Sequence, residues 1–291
     1  MTIFDLLGYS LIQNAFLAGT IVAIVAAIIG YFIIVRGLTF AGHALSHIGF
    51  AGAAGAVLLG VEPVFGLLLF TICAGIGIGL LGKEVRERDI AIGVIMTLGL
   101  GLGILFLSLY HGYAEQAYSI LFGTVLGISQ TDVLVTSLSG LFTLVILFAI
   151  FRPLLFSSLD AEVAQARGVP VRFLSVVFLI LVAIVVSASV QVVGVLLIFT
   201  LLIGPAATAM RLVHRPLWAI VLASVLGVLY TWAGILLAAY ADWPVSFCIA
   251  TLSFGVYLPV RLLSPLWSGK RQSSTIEETP STVERQVLNV H

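Results

Sequence analysis

Charge is the scarcest property of this 291-residue chain: only 9% of its residues are Asp, Glu, Lys or Arg, where a soluble globular domain carries about 25%. That leaves too little polar surface to cover a water-exposed shell. The 13 Lys and Arg are balanced by 13 Asp and Glu, so no basic excess points to nucleic acid. Two cysteines, Cys73 and Cys248, each inside an apolar run, cannot build a disulfide framework and read as small buried hydrophobes. No Lys or Arg precedes Arg36, so the basic start of a secretory signal is missing and the first apolar segment is expected to stay in the protein. There is no CxxC, no nucleophile and base pair, and no phosphate-cradling G-x-x-x-x-G-K-[ST], so ATP chemistry, if used, must come from another chain.

What the chain has in abundance is hydrocarbon: 61% hydrophobic residues and a mean hydropathy of +1.22. A spanning helix needs about 20 mostly apolar residues. Runs near 12–36, 39–61, 64–82, 90–110, 131–151, 173–191, 193–211, 216–238 and 245–263 satisfy this. The fold class is therefore an all-α, polytopic transmembrane bundle of about 8–9 spans within residues 1–263, followed from about 264 to 291 by a polar, Ser/Thr-rich tail expected to be disordered. Gly52-Ala-Ala-Gly55 and the Gly99 to Gly103 stretch suit helices that pack closely in lipid. Residues 116–130 are too short to cross and read as a re-entrant piece, which protein must cover.

Threading nine spans alternately puts all 13 basic residues on one side. By the positive-inside rule that side is cytoplasmic and holds the C-terminal tail, with the N-terminus outside. The opposite side receives Asp5, Glu62, Glu115, Asp132 and Asp242, a bias that steers cations. His111 and Glu115 fall in an outer loop, and His214 lies in a basic inner turn between Arg211 and Arg215.

An ionisable residue inside a span is a functional hypothesis by default. His43 and His47 stand four residues apart in Phe40-Ala-Gly-His-Ala-Leu-Ser-His-Ile-Gly-Phe50, which places both imidazoles on one helix face. That spacing suits two nitrogen ligands for one transition metal, and it equally suits two hydrogen-bonding braces between helices. Ser46 either supports the ligands or bonds its own backbone. Asp89, where a charged segment meets the next span, can cap that helix or add an oxygen ligand, and the two roles are compatible.

One inner loop, 152–172, has structure of its own. Ser158 or Asp160 can cap a short helix, Asp160 and Glu162 favour its N-terminal dipole, and Gly168 followed by Pro170 ends it. Such a helix can seat in a groove on a cytosolic partner or be an ordinary interfacial loop.

Taken together, these residues resemble the permease subunits of ATP-binding-cassette importers for zinc, manganese or iron. The resemblance covers roughly residues 10–262. It rests on Gly42-His-Ala-Leu-Ser-His47, Asp89-Ile-Ala-Ile-Gly93, Leu121-Phe-Gly123, the Asp160-Ala-Glu162 to Ala166-Arg-Gly168 loop, and the run from Val193 to Ala209. It implies a permease homodimer in a bacterial inner membrane, with cytosolic ATP-binding subunits docked on Asp160, Glu162, Ala166, Arg167 and Gly168. It also implies an extracytoplasmic metal-binding protein as donor, no resident cofactor, Zn²⁺ or Mn²⁺ as cargo, and His43, His47 and Asp89 along the metal's route. The family usually carries Asp where this chain has His43, and often Glu where it has Arg88. Imidazole in place of carboxylate softens the site toward Zn²⁺. Two other classes fit the bundle: a permease for a metal chelate or vitamin, which should lack paired ligands, and an ATP-independent secondary transporter with broken helices at the midplane.

Overall fold

The computed structural model describes residues 10–81, 85–110 and 127–276, and among these the secondary structure is entirely helical. In chain order the helices are α1 (Ser10–Val35), α2 (Thr39–Leu58), α3 (Pro63–Leu81), α4 (Val85–Leu109), α5 (Gln130–Leu159), α6 (Ala161–Ala166), α7 (Val171–Val193), α8 (Val195–Leu212), α9 (Pro216–Ala241) and α10 (Val245–Ile276). The nine long ones coincide with the nine apolar runs. Seven of them are long and apolar enough by themselves to cross a membrane. The other two are α2, which contains both His and four glycines, and α8, which is short and contains Pro205. Both lie inside the bundle, where neighbouring protein replaces lipid.

The helices sort by burial. Most of α1, α2 and α7 is enclosed, while α3, α4, α5, α9 and α10 turn large apolar side chains outward, among them Leu98, Leu141, Phe148 and Phe254. In water that rim would aggregate; in a bilayer it is the lipid contact. With no hydrophobic drive between helices in lipid, close packing needs small residues. A Cβ on Gly52 or on Gly66 would overlap the other residue's carbonyl, which sets α2 tightly against α3. Gly55 meets Phe106, Gly99 meets Ile48, and Gly103 meets Phe50 and Ala51, so α4 lies parallel to α2 along its length. Gly101, in the same run, faces open space.

Two glycines set corners. Gly37 (φ 64°) ends α1 in a Schellman motif, with the Gly37 N–H donating to the Ile34 carbonyl (3.0 Å) and the Leu38 N–H to that of Ile33 (2.8 Å), so α2 starts two residues later in a fixed direction. Gly194 (φ 82°, ψ 163°) sits in backbone space nearly closed to other residues and alone separates α7 from α8.

Three boundaries differ from the sequence expectation. The helix containing the 131–151 span continues through Pro153 to Leu159, because Leu154 and Ser157 remain buried against neighbours after the chain has run the thickness of a bilayer. At about 1.5 Å per residue its 30 residues reach about 45 Å, against a hydrocarbon core of about 30 Å. Helix α4 starts at Val85, in the charged segment before its apolar run, and α10 continues to Ile276, past the boundary near 263. Arg86, Glu87 and Arg88 are good helix formers in water, so the charged segment can begin α4, whereas residues 264–276, with Pro265, Gly269 and four serines, carry no such preference. The proposed re-entrant piece is outside the described residues up to 126, as are His111 and Glu115.

Candidate functional site

Helix α2 is enclosed by α3 and α4 on one side and touches α7 and α8 on the other. From Ala41 to Ala56 every side chain is buried except two, His43 and His47. The i, i+4 spacing puts both on one face of α2, where each is half-buried. Their ring centroids are 4.5 Å apart at an interplanar angle of 80°. Two imidazoles bound to one tetrahedral ion, with metal–nitrogen bonds of about 2.0–2.1 Å, have centroids about 5 Å apart. The observed separation is of that order, with the two rings meeting edge to face. His43 is also edge-on to Phe199 of α8, with centroids 4.8 Å apart, so a ring from a second helix lies against the pair. Phe199 lies in the run from Val193 to Ala209, but nothing in the local sequence marks it as a neighbour of His43.

Ser46, between the two His, is buried and donates to the Gly42 carbonyl (3.1 Å), so its hydroxyl serves its own helix. Asp89 is the fifth residue of α4, so it does not cap that helix. It lies one turn before Gly93, which packs near Phe40 at the start of α2, and its side chain is exposed. Among the described residues no group of three His, Cys, Asp or Glu side chains is close enough to hold one ion. The single chain thus brings His43 and His47 together and leaves Asp89 apart, near the end of α2 from which the helix starts.

The second feature is the projection at the end of α5. Asp160 closes α5 and caps α6, its Oδ1 accepting from the Val163 N–H at 2.9 Å, while Glu162 lies in the first turn. Gly168 (φ 82°) ends the segment, with its N–H on the Gln165 carbonyl (3.0 Å) and the Val169 N–H on that of Ala164 (3.0 Å). Only Ala164 of α6 is buried. Glu162, Ala166, Arg167 and Gly168 are exposed, and the Arg167 guanidinium stands 5.7 Å from the Phe156 ring centroid. The result is a short helix pinned by one methyl group, presenting its remaining surface outward between the ends of two long helices.

The chain is similar to known proteins over most of its length. The family model described as ABC 3 transport family matches residues 8–264. The manganese transport system membrane protein MntC of Halalkalibacterium halodurans is 34% identical over 275 residues, covering 92% of this chain and 94% of its own length. The high-affinity zinc uptake system membrane protein ZnuB of Haemophilus influenzae is 28% identical over 235 residues, with 80% and 90% covered. Among solved structures, PsaBC from Streptococcus pneumoniae in complex with Fab superposes with a TM-score of 0.79 at 30% identity, over 89% of this chain and 93% of that one. A family match over nearly the whole bundle, together with a relative of this identity and coverage, makes the chain a multi-pass membrane protein of the ABC 3 transport family.

Proposed function

We propose that the chain is the permease subunit of an ATP-driven importer that moves a divalent transition-metal ion, Zn²⁺ or Mn²⁺, into the cytoplasm. It works as a homodimer in a bacterial inner membrane. An extracytoplasmic metal-binding protein supplies the ion, cytosolic ATP-binding subunits seat on α6, and the N-terminus lies outside with the C-terminus in the cytoplasm. The names of the similar proteins, which include both manganese and zinc systems, support this reading, and the one-sided distribution of basic residues supports the orientation.

The observation that carries it is the paired imidazoles: in a helix otherwise buried from Ala41 to Ala56, the two half-exposed positions are both His, four residues apart with ring centroids 4.5 Å apart. The ion is held there transiently, with water completing the shell and Asp89 offering an oxygen at the cytoplasmic side as it leaves. Two imidazoles favour Zn²⁺ over Mn²⁺ on ligand softness. A transient site must not be a complete cage, and two protein ligands leave the remaining positions for exchange. Motion of the ATPase subunits enters through Asp160, Glu162, Ala166, Arg167 and Gly168 and alternates access to the pair.

The test is uptake by the complex reconstituted with its ATPase and binding protein. Replacing His43 and His47 together by Ala is expected to lower metal uptake at limiting ion concentration by about 100-fold, the scale of losing metal ligation. Undiminished uptake with wild-type metal preference refutes the site. Transport without any ATPase would instead identify a secondary transporter, and transport of a metal chelate but not the free ion a chelate importer.

A further inference from the structure

Arg36 is a cation in the corner between α1 and α2, and its guanidinium reaches across the bundle. Nη1 donates to Ser157 Oγ (3.1 Å) and Ser158 Oγ (3.2 Å), at the end of α5, and Nη2 donates to Ser175 Oγ near the start of α7. The same guanidinium lies 5.8 Å from the Phe178 ring centroid. Helices α5 and α7 are the two that carry α6 between them: Ser158 is two residues before Asp160, and Ser175 follows Pro170 on the other side. One side chain therefore grips both arms of the projecting helix. On its own side Arg36 is followed by the Schellman corner at Gly37, after which α2 begins at Thr39 and presents His43 one turn later. At about 1.5 Å rise per residue, His43 is about 6 Å along α2 from its first residue.

We propose that Arg36 is a positioning residue that transmits displacement of α6 to the His43–His47 pair. The inference rests on the importer reading above. A planar fork with several donors holds two helices in a defined relation, which a flexible ammonium with its point charge does not. The corner after it has no slack, because both backbone bonds of the Schellman motif return to α1. When the arms of α6 shift, Arg36 shifts with the three serines, the corner follows, and the first turns of α2 carry the imidazoles. Arg36 does not touch the ion.

Two variants test this: Arg36→Lys, which keeps the charge and loses the fork, and the triple variant Ser157→Ala, Ser158→Ala, Ser175→Ala, which keeps Arg36 and removes the three serine acceptors on α5 and α7. In the reconstituted complex both are expected to assemble and to hydrolyse ATP within about twofold of the wild-type rate, as α6 itself is untouched. Equilibrium binding of Zn²⁺, used as the probe, should also be unchanged. Metal uptake should fall about tenfold, so the number of ATP molecules consumed per ion rises by about the same factor. A merely structural role would lower hydrolysis and uptake together and leave their ratio constant. A wild-type ratio in either assembled variant overturns the proposal, and so does failure of both variants to assemble. A wild-type complex that shows no ATP-driven metal uptake refutes the importer reading instead, and is recognised without either variant.

Discussion

The sharpest consequence of a two-imidazole site is the number of protons it must lose. A metal takes only the neutral form of His, so acid competes with the ion, and affinity is lost as pH falls through the imidazole range. For an ordinary imidazole with pKa about 6.5, about nine-tenths of the rings are neutral at pH 7.5 and about one-tenth at pH 5.5. Because His43 and His47 stand close enough to share one ion, both must be neutral together, and the competent fraction falls as the product. For two independent rings at that ordinary value the loss is about 100-fold over these two pH units, or about 2.7 kcal/mol. The measurement is the Kd of Zn²⁺ for the purified complex in lipid nanodiscs, by competition with a chromophoric chelator, between pH 5 and 8. At pH below both imidazole midpoints the slope of log Kd against pH should approach two per unit in magnitude, and His47→Ala should reduce it to one. A flat profile refutes the paired site. A slope that His47→Ala leaves unchanged shows that the protons leave from elsewhere, which refutes it as well.

Two further perturbations probe how the site is held. A Cβ at Gly30 would lie 2.7 Å from the Leu202 carbonyl carbon and overlap its oxygen more deeply, so Gly30→Ala must push α1 from α8 by about 1.5–2 Å to restore contact at about 3.5 Å. The overpacking cost of about 1–3 kcal/mol or more outweighs the up to ~1 kcal/mol that Ala adds in a helix, so the variant's thermal midpoint in detergent should fall by several degrees while Gly101→Ala, with nothing within 4 Å, keeps that gain and does not lower it; equal midpoints would contradict the packing. Asp160→Ala removes the cap on the Val163 N–H and should destabilise α6 by about 0.5–2 kcal/mol. That loss should weaken binding of the ATPase subunit, measured by co-purification, and Asp160→Ser should restore most of it. Full binding by Asp160→Ala would detach α6 from the docking role.

How much of this was legible in the sequence depends on whether the signal is local. The span positions follow from runs of hydrocarbon, and the shared face of His43 and His47 follows from helical pitch, so both could be read without knowing what packs where. The same holds for α6, where Asp160, Gly168 and Pro170 punctuate a short segment. What could not be read is register between helices. Asp89 lies beside the start of α2, apart from the imidazoles, because Gly93, Gly99 and Gly103 lock α4 onto Phe40, Ile48, Phe50 and Ala51. No residue within α4 records which part of α2 those glycines will meet. Phe199 reaches His43 by the same kind of tertiary fact.

Arg36 makes the distinction clearest. In the sequence it is one more basic residue at the end of an apolar run, satisfying the positive-inside bias like twelve others. Its hydrogen-bond partners are 121 to 139 residues away, and serines near helix ends ordinarily bond their own backbone. Ser157 does so too, donating to the Leu154 carbonyl at 3.0 Å while its oxygen accepts from Arg36. A hydroxyl that spends its proton on its own helix has lone pairs left only for a donor, and a guanidinium is all donor. The complementarity is therefore chemical and asymmetric: Ser157 and Ser158 both donate to the Leu154 carbonyl and are left as acceptors for Arg36, so the fold uses a donor-rich cation at that corner even where the membrane would be content with one anywhere on the inner side.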